Sequence, residues 1–140
     1  MLTIYPACIF KEEDGYSVVF TDLNWLATCG ETLEQAMEAA VDCLAGYIYM
    51  GRKEGEEIAP PSKMEAVDIN KIAEELETTS ENAFVNVIAV DVEIYAKEHF
   101  EKAVKKTLTI PSWLNKIATE QNINFSQVLQ EALLAKVKMK

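Results

Sequence analysis

Residues 104–110, Val-Lys-Lys-Thr-Leu-Thr-Ile, alternate in character and stop at Pro111. Strand side chains point to opposite faces with a period of two. Lys105, Thr107 and Thr109 therefore fall on one face, and Lys106, Leu108 and Ile110 on the other. Pro111 ends the strand and suits the first turn of a helix, where its missing N–H is not needed. Trp113, Leu114, Ile117 and Ala118 give that helix an apolar side. Gln121–Asn124 breaks it, with Asn122 tolerating left-handed backbone. Asn124 can cap a second helix that carries Val128, Leu129, Ala132, Leu133 and Val137. One strand and two short helices cannot bury this much apolar surface, and a lone strand leaves its backbone groups unpaired. The economical arrangement is a dimer in which two strands pair antiparallel and four helices interlock. Such a ribbon presents two Lys-Thr-Thr sets on one surface, of a size that enters the major groove of DNA.

Charge divides the chain at the same place. The net charge of the 140 residues is -10, which as an average argues against nucleic acid. However, residues 1–101 hold 6 Lys and Arg against 21 Asp and Glu, a net of -15, while residues 102–140 hold 7 Lys against 2 Glu, a net of +5. Segments of opposite sign point to partners of opposite charge: a basic protein for the first and phosphate for the second.

The acidic part reads as strands and one long helix. Leu2–Phe10 is apolar and β-prone; Lys11–Gly15 is a polar turn with the hairpin signal Asp14-Gly15; Tyr16–Phe20 is a second strand. Ala27–Gly30 supplies a short third strand. Thr32 and Gln35 have the spacing of a capping box at the start of a helix. Leu33, Ala36, Met37, Ala40, Val41, Leu44 and Ile48 form its buried stripe, with Glu34, Glu38 and Asp42 off it and Gly51 as its stop. Arg52–Lys63 reads as a loop because Pro60-Pro61 excludes helix before it. Asp68–Leu76 reads as a short acidic helix, Phe84–Val92 as a strand rich in β-branched residues, and Tyr95–Val104 as a connecting helix. The expectation is an α+β sheet with a helix packed on one face.

Residues 104–138 closely resemble the ribbon-helix-helix repressors of the Arc and MetJ type: an alternating basic-polar strand, an apolar residue before proline, a helix, a short turn and a second helix. The resemblance implies that Lys105, Thr107 and Thr109 touch base edges. It also implies that the start of the second helix, Asn124, Phe125 and Ser126, holds a DNA phosphate on its free N–H groups. Lys106 stands where that pattern usually has an apolar residue.

Residues 1–95 are similar to the HicB antitoxins. The motifs that carry this are Asp14-Gly15-Tyr16, Phe20-Thr21-Asp22-Leu23 and Gly30-Glu31-Thr32-Leu33-Glu34-Gln35-Ala36. Thr21 replaces the usual proline, and Asn24-Trp25 stand where Pro-Gly is common. The resemblance implies a partial RNase H-like fold without nuclease activity that blocks a small basic, mRNA-cleaving HicA-like toxin. It further implies a C-terminal module that autorepresses the operon. The organisation expected is a toxin-neutralising domain over 1–95, a linker helix over 96–103, and a dimerising DNA-binding domain over 104–140. Tyr16, Asp22 and Trp25, around the hairpin and the strand end after it, are the candidate toxin contacts, since aromatic anchors carry most interface energy.

Carboxylates at Asp14, Asp22, Asp91 and Glu93 could in principle hold two divalent ions for a nuclease. Asp14 sits in a turn, and Asp91 and Glu93 lie two apart on one face of a strand, so nothing gathers the four, and no enzyme is expected. The alternative function is a repressor whose acidic domain senses a small ligand or metal. Cys8, Cys29 and Cys43 are scattered and His99 stands alone on the linker helix, a poor metal set, so neither metal nor cofactor is expected. The cysteines read as reduced thiols packed like small apolar residues. The N-terminus lacks a basic region followed by an apolar run, and no stretch approaches the roughly 20 apolar residues of a membrane span. The expected location is the cytoplasm.

Overall fold

The computed structural model describes residues 1–137 and forms two compact units, Met1–Lys102 and Ala103–Lys140. The first unit is built on a four-stranded antiparallel sheet of order β3-β2-β1-β4. Its strands are β1 (Thr3–Glu12), β2 (Gly15–Phe20), β3 (Leu26–Gly30) and β4 (Phe84–Val90). The Asp14-Gly15 signal makes a tight hairpin in which Glu12 faces Gly15 and Ile9 faces Val18. Gly15 is required there: its φ is 150°, and a Cβ would lie 2.3 Å from the Gly30 carbonyl oxygen. Pro6 sits within β1 because the ladder with β2 begins only at Cys8; at Pro6 the partner in register is Val87 of β4.

Helix α1 (Leu33–Lys53) covers one face of the sheet. Thr32 Oγ1 accepts from Gln35 N, while the Gln35 side chain accepts from Glu31 N, one residue before the cap. The buried stripe is Ala36, Ala40, Leu44, Ala45 and Ile48 against Tyr5, Ile9, Val18, Phe20 and Ile88. Complete burial of a side chain such as Phe20 or Leu44 contributes about 2 kcal/mol each. Met37 and Val41 join from the edge of the stripe, while Leu33 is exposed. The second face of the sheet is partly covered by α2 (Ile69–Glu75), whose Ile72 and Ala73 pack on Cys8, Phe10 and Val19.

Several boundaries differ from expectation. Gly51 does not stop α1; the helix runs to Lys53, and positive φ appears at Gly55. Gly51 is buried where the returning chain crosses: a Cβ there would be 3.0 Å from Ile58 Cδ1. Strand β4 ends at Val90, not Val92. Asp91 caps the next helix, α3 (Val92–His99), its carboxylate accepting from Ile94 N. The connecting helix therefore starts earlier than Tyr95 and ends before Val104, and Asp91 and Glu93 do not share a strand face.

The second unit contains α4 (Ser112–Glu120) and α5 (Phe125–Lys136). Asn122 takes the expected left-handed conformation between them, with φ 57°. The expected strand over 104–110 does not form: residues 102–111 carry no regular secondary structure. A single chain offers this segment no backbone partner, and an isolated strand has nothing to satisfy its N–H and C=O groups. Among the described residues of this unit only Ala118 is buried. No helix among the described residues is long and apolar enough to cross a membrane.

Candidate functional site

Strand β2 leaves the sheet at Phe20 and enters a single 3-10 turn, Thr21–Leu23. Leu23 is fully buried and anchors the turn. Asn24 and Trp25 then take successive positive φ values, 57° and 61°. Two adjacent left-handed residues that are not glycine are unfavourable by roughly 1 kcal/mol each or more. The surroundings hold them there. The Asn24 side-chain amide donates to the Tyr47 hydroxyl at 3.0 Å. The Asp22 carboxylate accepts from both the Ser62 backbone N–H, at 2.8 Å, and the Ser62 hydroxyl, at 2.7 Å. The Tyr5 hydroxyl donates to the Ala59 carbonyl, tying down the same loop.

The result is a shallow groove of about 370 Å³ beside the Trp25 ring, which is 42% exposed. Thr21 and Ser62 line it together with Lys71, the buried Ile72 and Glu75 of α2.

Asp22 and Trp25 thus share one turn, and the structure gives them different roles. Asp22 organises the loop, while Trp25 faces outward. Tyr16 is not with them. It pairs with Gly30 at the opposite end of β2 from Phe20, which pairs with Leu26. The two residues lie four positions apart along the strand, about 13 Å. Tyr16 is half-buried and packs on the core under α1. Sequence reasoning missed Ser62, Lys71 and Glu75. A capped helix near Asp68 was readable, but nothing local announced that a carboxylate forty residues away would draw Ser62 across the sheet.

A second polar contact ties α3 to α1. The Tyr95 hydroxyl donates to Asp42 at 2.9 Å, and the His99 ring stacks on Tyr95 with centroids 3.9 Å apart. Burial, then the hydrogen bond to Asp42 and its negative charge, push the Tyr95 phenol up to about 12. Burial alone raises the Cys8 thiol to about 11, so it stays an unreactive thiol inside the second-face core. Among the described residues no three His, Cys, Asp or Glu side chains gather as a metal site.

In the second unit, Lys105, Thr107 and Thr109 are exposed on the irregular segment before α4. Asn124 caps α5, its side-chain oxygen accepting from Gln127 N at 3.1 Å. Phe125 and Ser126 form the exposed first turn of that helix. Trp113 is 64% exposed and Leu114 41%; Phe125, Val128 and Leu133 are also open. All of these but Phe125 are residues the sequence places at an apolar interface.

Comparison with known proteins agrees with this arrangement. The family model described as the HicB-like antitoxin of bacterial toxin–antitoxin systems matches residues 5–137. The chain is 32% identical over 111 residues to a 14.9 kDa protein of the rep-hol intergenic region of Haemophilus phage HP1 (strain HP1c1), covering 79% of this chain and 75% of that one. A chain in a solved toxin–antitoxin complex from Streptococcus pneumoniae superposes with a TM-score of 0.66 at 29% identity, covering 98% of this chain and all of that one. The match spans both units, and the protein is a member of the HicB-like antitoxin family of bacterial toxin–antitoxin systems.

Proposed function

We propose that this antitoxin neutralises a small basic, mRNA-cleaving HicA-like toxin through its acidic unit. We further propose that it represses its own operon through a dimer of the basic unit, a ribbon-helix-helix bound to operator DNA. The observation that carries this reading is the division of charge between the compact units, -14 over residues 1–102 and +4 over 103–140. A toxin that grips RNA must present positive charge, and an acidic surface can occupy the same place without chemistry of its own.

For the second unit, the support is what one chain leaves open. Residues 104–110 carry unpaired backbone, and α4 and α5 carry exposed Trp113, Leu114, Val128 and Leu133. Antiparallel pairing of two copies over 104–110 would satisfy the backbone, close the apolar surface, and set two copies of Lys105, Thr107 and Thr109 side by side. Asn124, Phe125 and Ser126 would then hold a phosphate at the helix start. On this reading the first unit is a partial RNase H-like scaffold over residues 1–95, and residues 96–103 link it to the ribbon.

The test uses the full chain and the product of the neighbouring gene, on this reading a small basic protein. Purified together, they should form a complex in which the partner's RNA cleavage stops at a fixed ratio of the two. Cleavage that continues with the antitoxin in excess would contradict the reading.

A further inference from the structure

We infer that the groove beside Trp25 is a receptor for a cationic side chain, arginine above all, of the protein that the acidic unit binds. The inference rests on the antitoxin reading and deepens it from a surface to a place and a chemistry. Trp25 presents a half-exposed indole although its backbone is strained, with φ 61° directly after Asn24 at 57°. A left-handed tryptophan that packed nowhere would relax; here the Asn24–Tyr47 and Asp22–Ser62 hydrogen bonds hold the turn so that the ring lines an open groove.

The rim supplies the charge. Asp68 and Glu75 stand at the groove with one opposing cation, Lys71. Lys71 and Glu75 are four apart on α2, a spacing that permits an ion pair, yet they do not form one. Among the described residues the single ion pair is Met1 with Asp91. Glu75 is exposed and in no ion pair among the described residues, so its carboxylate is open to solvent at the groove. A planar guanidinium suits an aromatic face and a carboxylate together, because it stacks on the one while donating to the other. An anionic occupant would meet two carboxylates in a unit of net charge -14. A second copy of the unit would bring the same charge against itself.

Calorimetric titration of the full chain with the small basic protein encoded beside it, at low and high salt, tests the inference. Trp25→Ala should weaken binding about tenfold, as loss of a central aromatic anchor does. Glu75→Gln should weaken it about threefold and flatten its salt dependence. Glu75→Lys should weaken it further, and Lys71→Glu should strengthen it. Glu75 and Lys71 are exposed, so these charge variants decide the matter even if Trp25→Ala disturbs the turn. Tight binding by the wild type with no response to Glu75→Lys or Lys71→Glu would overturn the cation receptor and leave the antitoxin reading standing. No binding by the wild type would remove both.

Discussion

The Asp22 carboxylate accepts two hydrogen bonds from Ser62, one from the backbone N–H at 2.8 Å and one from the hydroxyl at 2.7 Å. The pair joins the turn after β2 to the loop that follows α1, across forty residues of chain. Asp22 was a candidate contact for the toxin, and the structure gives it an internal partner. Its replacement should therefore act first on the fold. Asp22→Ala should destabilise the first unit by about 1–2 kcal/mol, the lower part of the range for hydrogen bonds to a charged acceptor because the site is partly solvated. Ser62→Ala, which removes only the hydroxyl contact, should show less than half of that in urea unfolding.

Gly30 is a sharper structural test. A Cβ there would lie 2.4 Å from the Ala36 backbone N and 2.8 Å from its Cα, neither of which can swing aside. Strand β3 and helix α1 approach this closely only because both positions are small. Gly30→Ala should destabilise by about 3 kcal/mol through overpacking. Urea unfolding should show a lower midpoint with an unchanged slope.

Tyr95 sets an alkaline limit. Its phenol is raised in the folded chain from the ordinary 10.0 to about 12, first by burial and then by Asp42. A folded value above the unfolded one means that this contribution is fully present below pH 10. It is lost as pH rises toward 12, because the unfolded chain ionises first. Stability should fall over that window in the wild type, and less steeply in Tyr95→Phe. Burial also raises the Tyr5 phenol, so phenolate absorbance followed during a pH titration should show late-ionising tyrosines, of which the one near pH 12 disappears in the variant.

Much of the first unit was legible. The Asp14-Gly15 turn, the capped start of α1 at Thr32 and the β-branched run of β4 are local signals, and each became the element it suggested. Gly51 misled because a glycine near a helix end resembles a stop. Here it admits the Ile58 side chain, a contact made by residues beyond the helix. Asp91 was hidden because Val92 prolongs the strand pattern. Val92, Tyr95 and Ala96 at helical spacing after an Asp were the signal for its capping role. Of the three candidate toxin contacts, Asp22 and Trp25 share one turn and Tyr16 lies at the far end of β2. Neighbourhood in sequence across a hairpin strand does not carry to neighbourhood on the surface. The strand expected over 104–110 did not form, because a single chain gives that segment no pairing partner.

The ribbon proposal leads to a measurable dimer. Sedimentation at micromolar concentration should show at least a dimer of the full chain, and Trp113→Ala with Leu114→Ala should dissociate it. In a mobility-shift assay Thr107→Ala or Thr109→Ala should weaken operator binding by about 1–3 kcal/mol and relax preference at one base position. Lys105→Ala should lower affinity and its salt dependence. Normal promoter binding by the triple alanine variant would exclude the ribbon.

The central claim is that neutralisation belongs to the acidic unit and DNA binding to the basic one. Expression of residues 1–102 alone in cells that make the neighbouring basic toxin tests it most directly, with folding of the fragment checked by circular dichroism and its level by immunoblot. The expected result is growth restored to that of cells with the full antitoxin, and no repression of the operon promoter. A folded, abundant fragment that leaves the cells arrested would contradict it, and would place neutralisation in residues 103–140 instead.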